Sequence, residues 1–123
     1  MLKRAVKFGL TGVLATATHV VVASLCIERA GLHPALANAI AFLVATAASL
    51  YINTYWSFES ALSVVVAQRY VVVATVGLLV SAGLSNLLHV AGYGYGWGIA
   101  AVVAVMPVVN FLCHHFWTYR ESV

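Results

Sequence analysis

Residues 49–60 read SLYINTYWSFES and residues 110–122 read NFLCHHFWTYRES. Aligned on Trp56 and Trp117, both place a polar residue (Ser49, Asn110), a second one four on (Asn53, His114), the Trp three later and an aromatic two beyond it (Phe58, Tyr119). Upstream, Lys7-Phe8 and Arg69-Tyr70 form a matching basic-aromatic pair. The chain therefore reads as two copies of one hairpin unit, about 5–60 and about 67–122, within a single domain over residues 1–123.

Composition says what fills those copies. Hydrophobic residues make up 63% of the chain and charged residues 7%, against about 25% charged in a soluble domain. Apolar runs cover 5–27, 35–56, 70–90 and 97–118, each of 21 to 23 residues. At about 1.5 Å of helical rise per residue each spans a hydrocarbon core of roughly 30 Å. No run alternates as the strands of a transmembrane barrel do. The first run exceeds the apolar stretch of a signal peptide and reads as a retained helix. The expected fold is all-α, an integral membrane bundle of four transmembrane helices.

Lys3, Arg4, Lys7, Arg69 and Arg120 fall on one side of four crossings, and Arg29 alone on the other. The positive-inside rule then places both termini and the 57–69 loop in the cytoplasm. The repeat is a parallel one, and both polar-aromatic ends meet the same leaflet. The net charge of +3 reflects this topology and contact with anionic membrane lipid. Without a basic face or reading motif it does not point to nucleic acid.

Ser49, Asn53 and Trp56 stand at i, i+4 and i+7, as do Asn110, His114 and Trp117, so each set shares one helical face. In the second span the face continues through Thr46, Ala45, Ala41 and Asn38. Lipid penalises such a face, which therefore belongs to helix packing or to a polar groove. The tryptophans also suit an interfacial aromatic belt. Companion stripes run through Thr11, Ala15 and His19, and through Gly77, Ser81, Ser85 and His89. His19, deep in a span, reads as a hydrogen-bonded interior residue or as a proton carrier. Pro107 predicts a kink before Asn110.

There is no Asp, and no Glu lies within a span. His114 and His115 are adjacent and diverge on a helix. Cys26 and Cys113 belong near opposite surfaces, beyond disulfide reach. With no phosphate loop, nucleophile motif or metal signature, no enzyme, cofactor or metal is expected.

The two endings, the openings VKFGLTG and QRYVVVATVG, and LANAIAF in the second span resemble the GtrA-like family of small four-helix membrane proteins, over about Lys7 to Arg120. Thr54 stands where that family commonly has a basic residue, His114-His115 where it has Asn-Arg, and His19 where an acid is frequent. The resemblance implies movement of a polyprenyl-phosphate-linked sugar for cell-surface polysaccharide synthesis, beside a partner glycosyltransferase. The expected function is a translocase (flippase) or its membrane subunit. Lys7, Arg69 and Arg120 would attract the phosphate. Ser49, Asn53, Asn110 and His114 would hydrogen-bond the head, and Trp56 and Trp117 would stack on sugar. His19 and Asn38 form a second, intramembrane polar site. Two alternatives stand: a non-transporting scaffold that recruits a glycosyltransferase, and a small multidrug exporter, which the lack of an intramembrane Glu disfavours. A homodimer or higher oligomer is also expected.

Overall fold

The computed structural model describes residues 1–122. Four helices are long and apolar enough to cross a membrane, Leu2–Glu28, Pro34–Ser57, Val64–Val90 and Gly96–Thr118, and no strand occurs among the described residues. The protein is an all-α, multi-pass membrane protein. Its chain divides into two compact units, Met1–Leu62 and Ser63–Val123, each a helical hairpin.

In the first unit α1 (Leu2–Glu28) stops where Gly31 takes φ 67°. There the Ala30 N–H donates to the Leu25 carbonyl at 3.3 Å, a six-to-one closure, and the Leu32 N–H reaches the Cys26 carbonyl at 3.0 Å. Both satisfy orphaned helix-end carbonyls, and the turn suits a residue without Cβ. Helix α2 (Pro34–Ile52) starts at once: His33 Nδ1 accepts the Ala35 N–H at 3.1 Å, and Pro34 occupies the first turn, where its missing N–H costs nothing. The second unit repeats the scheme. Helix α3 (Val64–Val90) ends at Gly92, φ 94°, with the Tyr93 N–H on the Leu88 carbonyl at 3.0 Å. Helix α4 (Tyr95–Cys113) follows and runs on through Pro107.

One boundary differs from the sequence reading. Residues 57–69 were expected as a loop, yet α3 begins at Val64. Ser63 Oγ accepts the Val66 N–H at 3.1 Å, a side-chain N-cap that lets the Val64–Val66 run join the helix. Arg69 consequently stands inside α3, as Lys7 does inside α1.

Burial follows a step of four. In α2 the buried positions are Ala37, Ala41 and Ala45, with Asn53 next in the turn that follows it; in the second unit Gly98, Met106 and His114 repeat that register. Four residues advance a helix by about 400°, so a four-step seam drifts around α2 and α4. Both helices end in a wider π turn, Asn53–Ser57 and His114–Thr118. The Phe58 N–H reaches back five residues to the Asn53 carbonyl at 2.9 Å, and the Tyr119 N–H to the His114 carbonyl at 2.9 Å. The wider turn keeps the next four-step, Ser57 and Thr118, on the buried side. Most Leu and Val side chains elsewhere are exposed, as lipid-facing surface should be.

The close approach of α3 to α4 depends on Gly77. A Cβ there would lie 2.9 Å from Asn110 Oδ1, too near for any ordinary contact. The corresponding positions of the first unit hold Ala15 and Ser49, a larger residue set against a smaller one. Gly77→Ala must turn the Asn110 amide aside, a cost that the roughly 1 kcal/mol gain in helix propensity offsets. Gly77→Ala with Asn110→Ser should therefore be more stable than Gly77→Ala alone by up to about 1 kcal/mol. Thermal unfolding in detergent micelles compares the two; equal midpoints would contradict this packing.

Candidate functional site: the cation–tryptophan ends of the hairpins

Each hairpin closes in the same way. In the first unit the Lys7 ammonium stands 5.3 Å from the Trp56 ring centroid. It donates to the Trp56 carbonyl at 3.3 Å and to Glu59 Oε1 at 3.3 Å. In the second, the Arg69 guanidinium lies 6.0 Å from the Trp117 centroid. Its Nη1 donates to the Trp117 carbonyl at 3.3 Å and to both oxygens of Glu121 at 3.2 Å. The carbonyls are free to accept because the π turns end each helix there.

The aromatic halves of the two openings dock alongside. Phe8 meets Phe58 edge-on at 6.2 Å and 72°, and Tyr70 meets Tyr119 at 6.5 Å and 67°. The sequence pairing thus has a spatial meaning: base on Trp, aromatic on the aromatic two residues later. Each edge-to-face pair adds about 0.5–1.5 kcal/mol beyond its burial, and each cation–π contact about 0.5–1 kcal/mol. In the first unit Arg4 also lies 5.8 Å over the Phe58 ring.

Behind each end the polar side chains are buried. Thr11 Oγ1 donates to the Lys7 carbonyl at 3.0 Å and stands 3.2 Å from Ser57 Oγ. With its one proton committed, Thr11 takes the Ser57 hydroxyl as donor. Asn53 Nδ2 donates to Ser49 Oγ at 3.2 Å. In the second unit, His114 Nδ1 pairs with Thr118 Oγ1 at 2.9 Å, and its ring stacks on Tyr70 at 4.3 Å. Unlike these, Trp56 and Trp117 are 43% and 39% exposed.

Of the residues singled out from sequence, Lys7 and Trp56 meet in one unit, and Arg69 and Trp117 in the other. Ser49 and Asn53 join the first end, and His114 the second. Asn110 faces Gly77, and Arg120 Nε reaches Glu121 Oε1 at 3.4 Å. His19 Nε2 and Asn38 Oδ1 meet at 3.0 Å, while Asn38 Nδ2 donates to the Pro34 carbonyl at 2.8 Å. They lie about 18 Å along α1 from Lys7 at 1.5 Å per residue and do not join the cation–Trp cluster. Ser81 and Ser85 line a groove of about 300 Å³ between α3 and α4, whose other walls are apolar (Leu78, Val103). Among the described residues no three His, Cys, Asp or Glu side chains gather as metal ligands.

Sequence reasoning missed Glu59, Glu121, Ser57 and Thr118. A signal for the acids exists: the chain has only three acidic residues, and two of them follow the tryptophans. The Glu121 carboxyl lies below its ordinary 4.5, held first by its own backbone N–H and then by the Arg69 guanidinium. Because the folded value is depressed, its contribution to stability is complete above pH 4.5 and is lost as pH falls through the lowered value. The ¹³C carboxyl shift of Glu121 should titrate below 4.5 and move upward in Arg69→Gln. A wild-type midpoint at or above 4.5 would contradict the pairing.

The family model described as GtrA/DPMS, transmembrane domain, matches residues 7–119 of this chain. Its limits coincide with Lys7 at one end and Tyr119 at the other. No curated protein matches, and no solved structure matches.

Proposed function

The chain belongs to the GtrA/DPMS transmembrane-domain family, membrane proteins of polyprenyl-phosphate sugar handling, and from that premise we propose that it is a translocase, or the membrane subunit of one, for a polyprenyl-phosphate-linked sugar. The observation that carries the reading is the repeated end: a cation against a half-exposed Trp face, in front of buried hydroxyl, amide and imidazole groups.

The chemistry of such a lipid divides into three parts. Its tail is apolar and at home in the bilayer. Its phosphate is an anion, and its sugar carries hydroxyls and an apolar ring face. Moving the last two through hydrocarbon is the costly step, since each unsatisfied polar group there costs several kcal/mol (about 2–7). In each hairpin the base beside the tryptophan is the group that attracts a phosphate: Lys7 in the first, and in the second Arg69, with a fork suited to two oxygens, next to Arg120. Trp56 and Trp117 offer their exposed faces to the sugar ring. Asn53, Ser49, Asn110 and His114 replace water around its hydroxyls.

The chain does this without chemistry on the substrate, as suits a family that is generally non-catalytic and of translocase type. Consumption of the sugar on the far side of an inner membrane, through a glycosyltransferase partner, draws transport forward. If the chain only recruits such an enzyme, it co-purifies with one and moves no lipid.

Sealed vesicles containing the protein and a polyprenyl-phosphate-linked sugar provide the test. Trp56→Ala with Trp117→Ala should slow translocation at least about tenfold, the equivalent of 1.4 kcal/mol. Unchanged rates in the double variant, with the protein still monodisperse, would overturn the site.

A further inference from the structure

The two ends differ in how firmly their acids are held. Lys7 keeps only 18% of its side chain exposed, whereas Glu59 is 62% exposed. The cation therefore needs an anion, and the anion it has is a surface group attached through a single oxygen at 3.3 Å. Exposure and distance are alike at the second end, where Arg69 is 13% and Glu121 63% exposed and both oxygens lie at 3.2 Å. The ends differ in the number of contacts and in the backbone. Glu59 also stands at φ 49°, in the left-handed region, and is the only non-glycine there among the described residues. A side chain with a Cβ is disfavoured in that region. The backbone at Glu59 is thus bent against its preference to bring a loosely bound carboxylate onto Lys7.

The second end has no such bend. Glu121 gives both oxygens to Arg69 at 3.2 Å, and Arg120 adds a further contact at 3.4 Å. It sits in a short 3₁₀ turn, Arg120–Ser122. The inserted residue that offsets the acid in TYRES relative to SFES places it within reach of two guanidinium groups rather than one ammonium.

We propose that Glu59 is a displaceable internal anion: it holds the place at Lys7 that a phosphate group takes, and leaves when the phosphate arrives, while Glu121 stays on Arg69. The inference rests on the translocase reading above and assigns its first phosphate contact to one end. The ligand class is a phosphate mono- or diester. A monoester brings more charge and one more terminal oxygen than a carboxylate; a diester matches the carboxylate in both, so for it the relief of the Glu59 backbone decides the exchange. The ammonium has three donors, one on the Trp56 carbonyl, and presents the others to the incoming group. Release lets Glu59 return to an extended or right-handed backbone, so exchange for a monoester is favoured from both sides. Glu59 therefore sets affinity: strong enough to neutralise Lys7 when empty, weak enough to yield.

The full chain in detergent, titrated with a polyprenyl monophosphate and followed by tryptophan fluorescence, tests this, with polyprenol and inorganic phosphate as comparison ligands. Glu59→Gln should tighten polyprenyl monophosphate binding about three- to fivefold, the reach of an exposed ion pair, and Glu59→Ala should do the same. Glu121→Gln should change it less than Glu59→Gln does. Lys7→Gln should weaken binding and cancel the effect of Glu59→Gln. If the wild type prefers the phosphate over polyprenol but neither Glu59 variant binds more tightly, the displacement is wrong and the translocase reading stands. If the wild type and all variants bind polyprenyl monophosphate and polyprenol equally, both are overturned. An equal gain with inorganic phosphate alone would keep the displacement and assign the site to free phosphate instead of a lipid head.

Discussion

One backbone hydrogen bond, made twice, organises this protein's functional ends: the N–H of Phe58 to the carbonyl of Asn53, and the N–H of Tyr119 to the carbonyl of His114. Each spans five residues instead of four. Widening the last turn by one residue keeps Ser57 and Thr118 buried beside Asn53 and His114, and ends each helix at its Trp. The Trp carbonyls then accept from Lys7 and Arg69. A tighter ending would carry the buried hydroxyls outward and the base–Trp contact would have no anchor. Such π turns are rare and tend to mark functional sites.

The two copies preserve geometry while changing chemistry. Lys7 becomes Arg69, Phe8 becomes Tyr70, Asn53 becomes His114, and Ser57 becomes Thr118, yet the ring angles and base–carbonyl distances barely move. The shape is what duplication retained. The differences lie in what each end can bind and how firmly it holds its own acid.

Much of this was legible in the sequence. Four apolar runs gave the spans, and the shared order of Trp56 and Trp117 with Lys7-Phe8 and Arg69-Tyr70 gave the repeat. Hydrophobicity and spacing carry such information directly. The start of α3 was missed because Val64–Val66 lies beyond a polar stretch, and only the Ser63 cap makes it helical. The π turns were missed because no local propensity distinguishes a five-residue closure from a four-residue one; burial of Ser57 and Thr118 decides it. Glu59 and Glu121 look like ordinary surface acids until the hairpin brings Lys7 and Arg69 back to them. The fit of Gly77 to Asn110 is a contact across 33 positions, which a residue pattern along one helix does not register.

The central claim is that the cation–tryptophan ends of the two hairpins open at the same leaflet, as four crossings by the spans Leu2–Glu28, Pro34–Ser57, Val64–Val90 and Gly96–Thr118 require. Site-directed labelling tests it most directly. In a chain with Cys26 and Cys113 replaced by Ser, single cysteines at Ser60 and at Arg120 are challenged in sealed vesicles with a membrane-impermeant thiol reagent. The account predicts that both react from the same side. Reaction from opposite sides would contradict it.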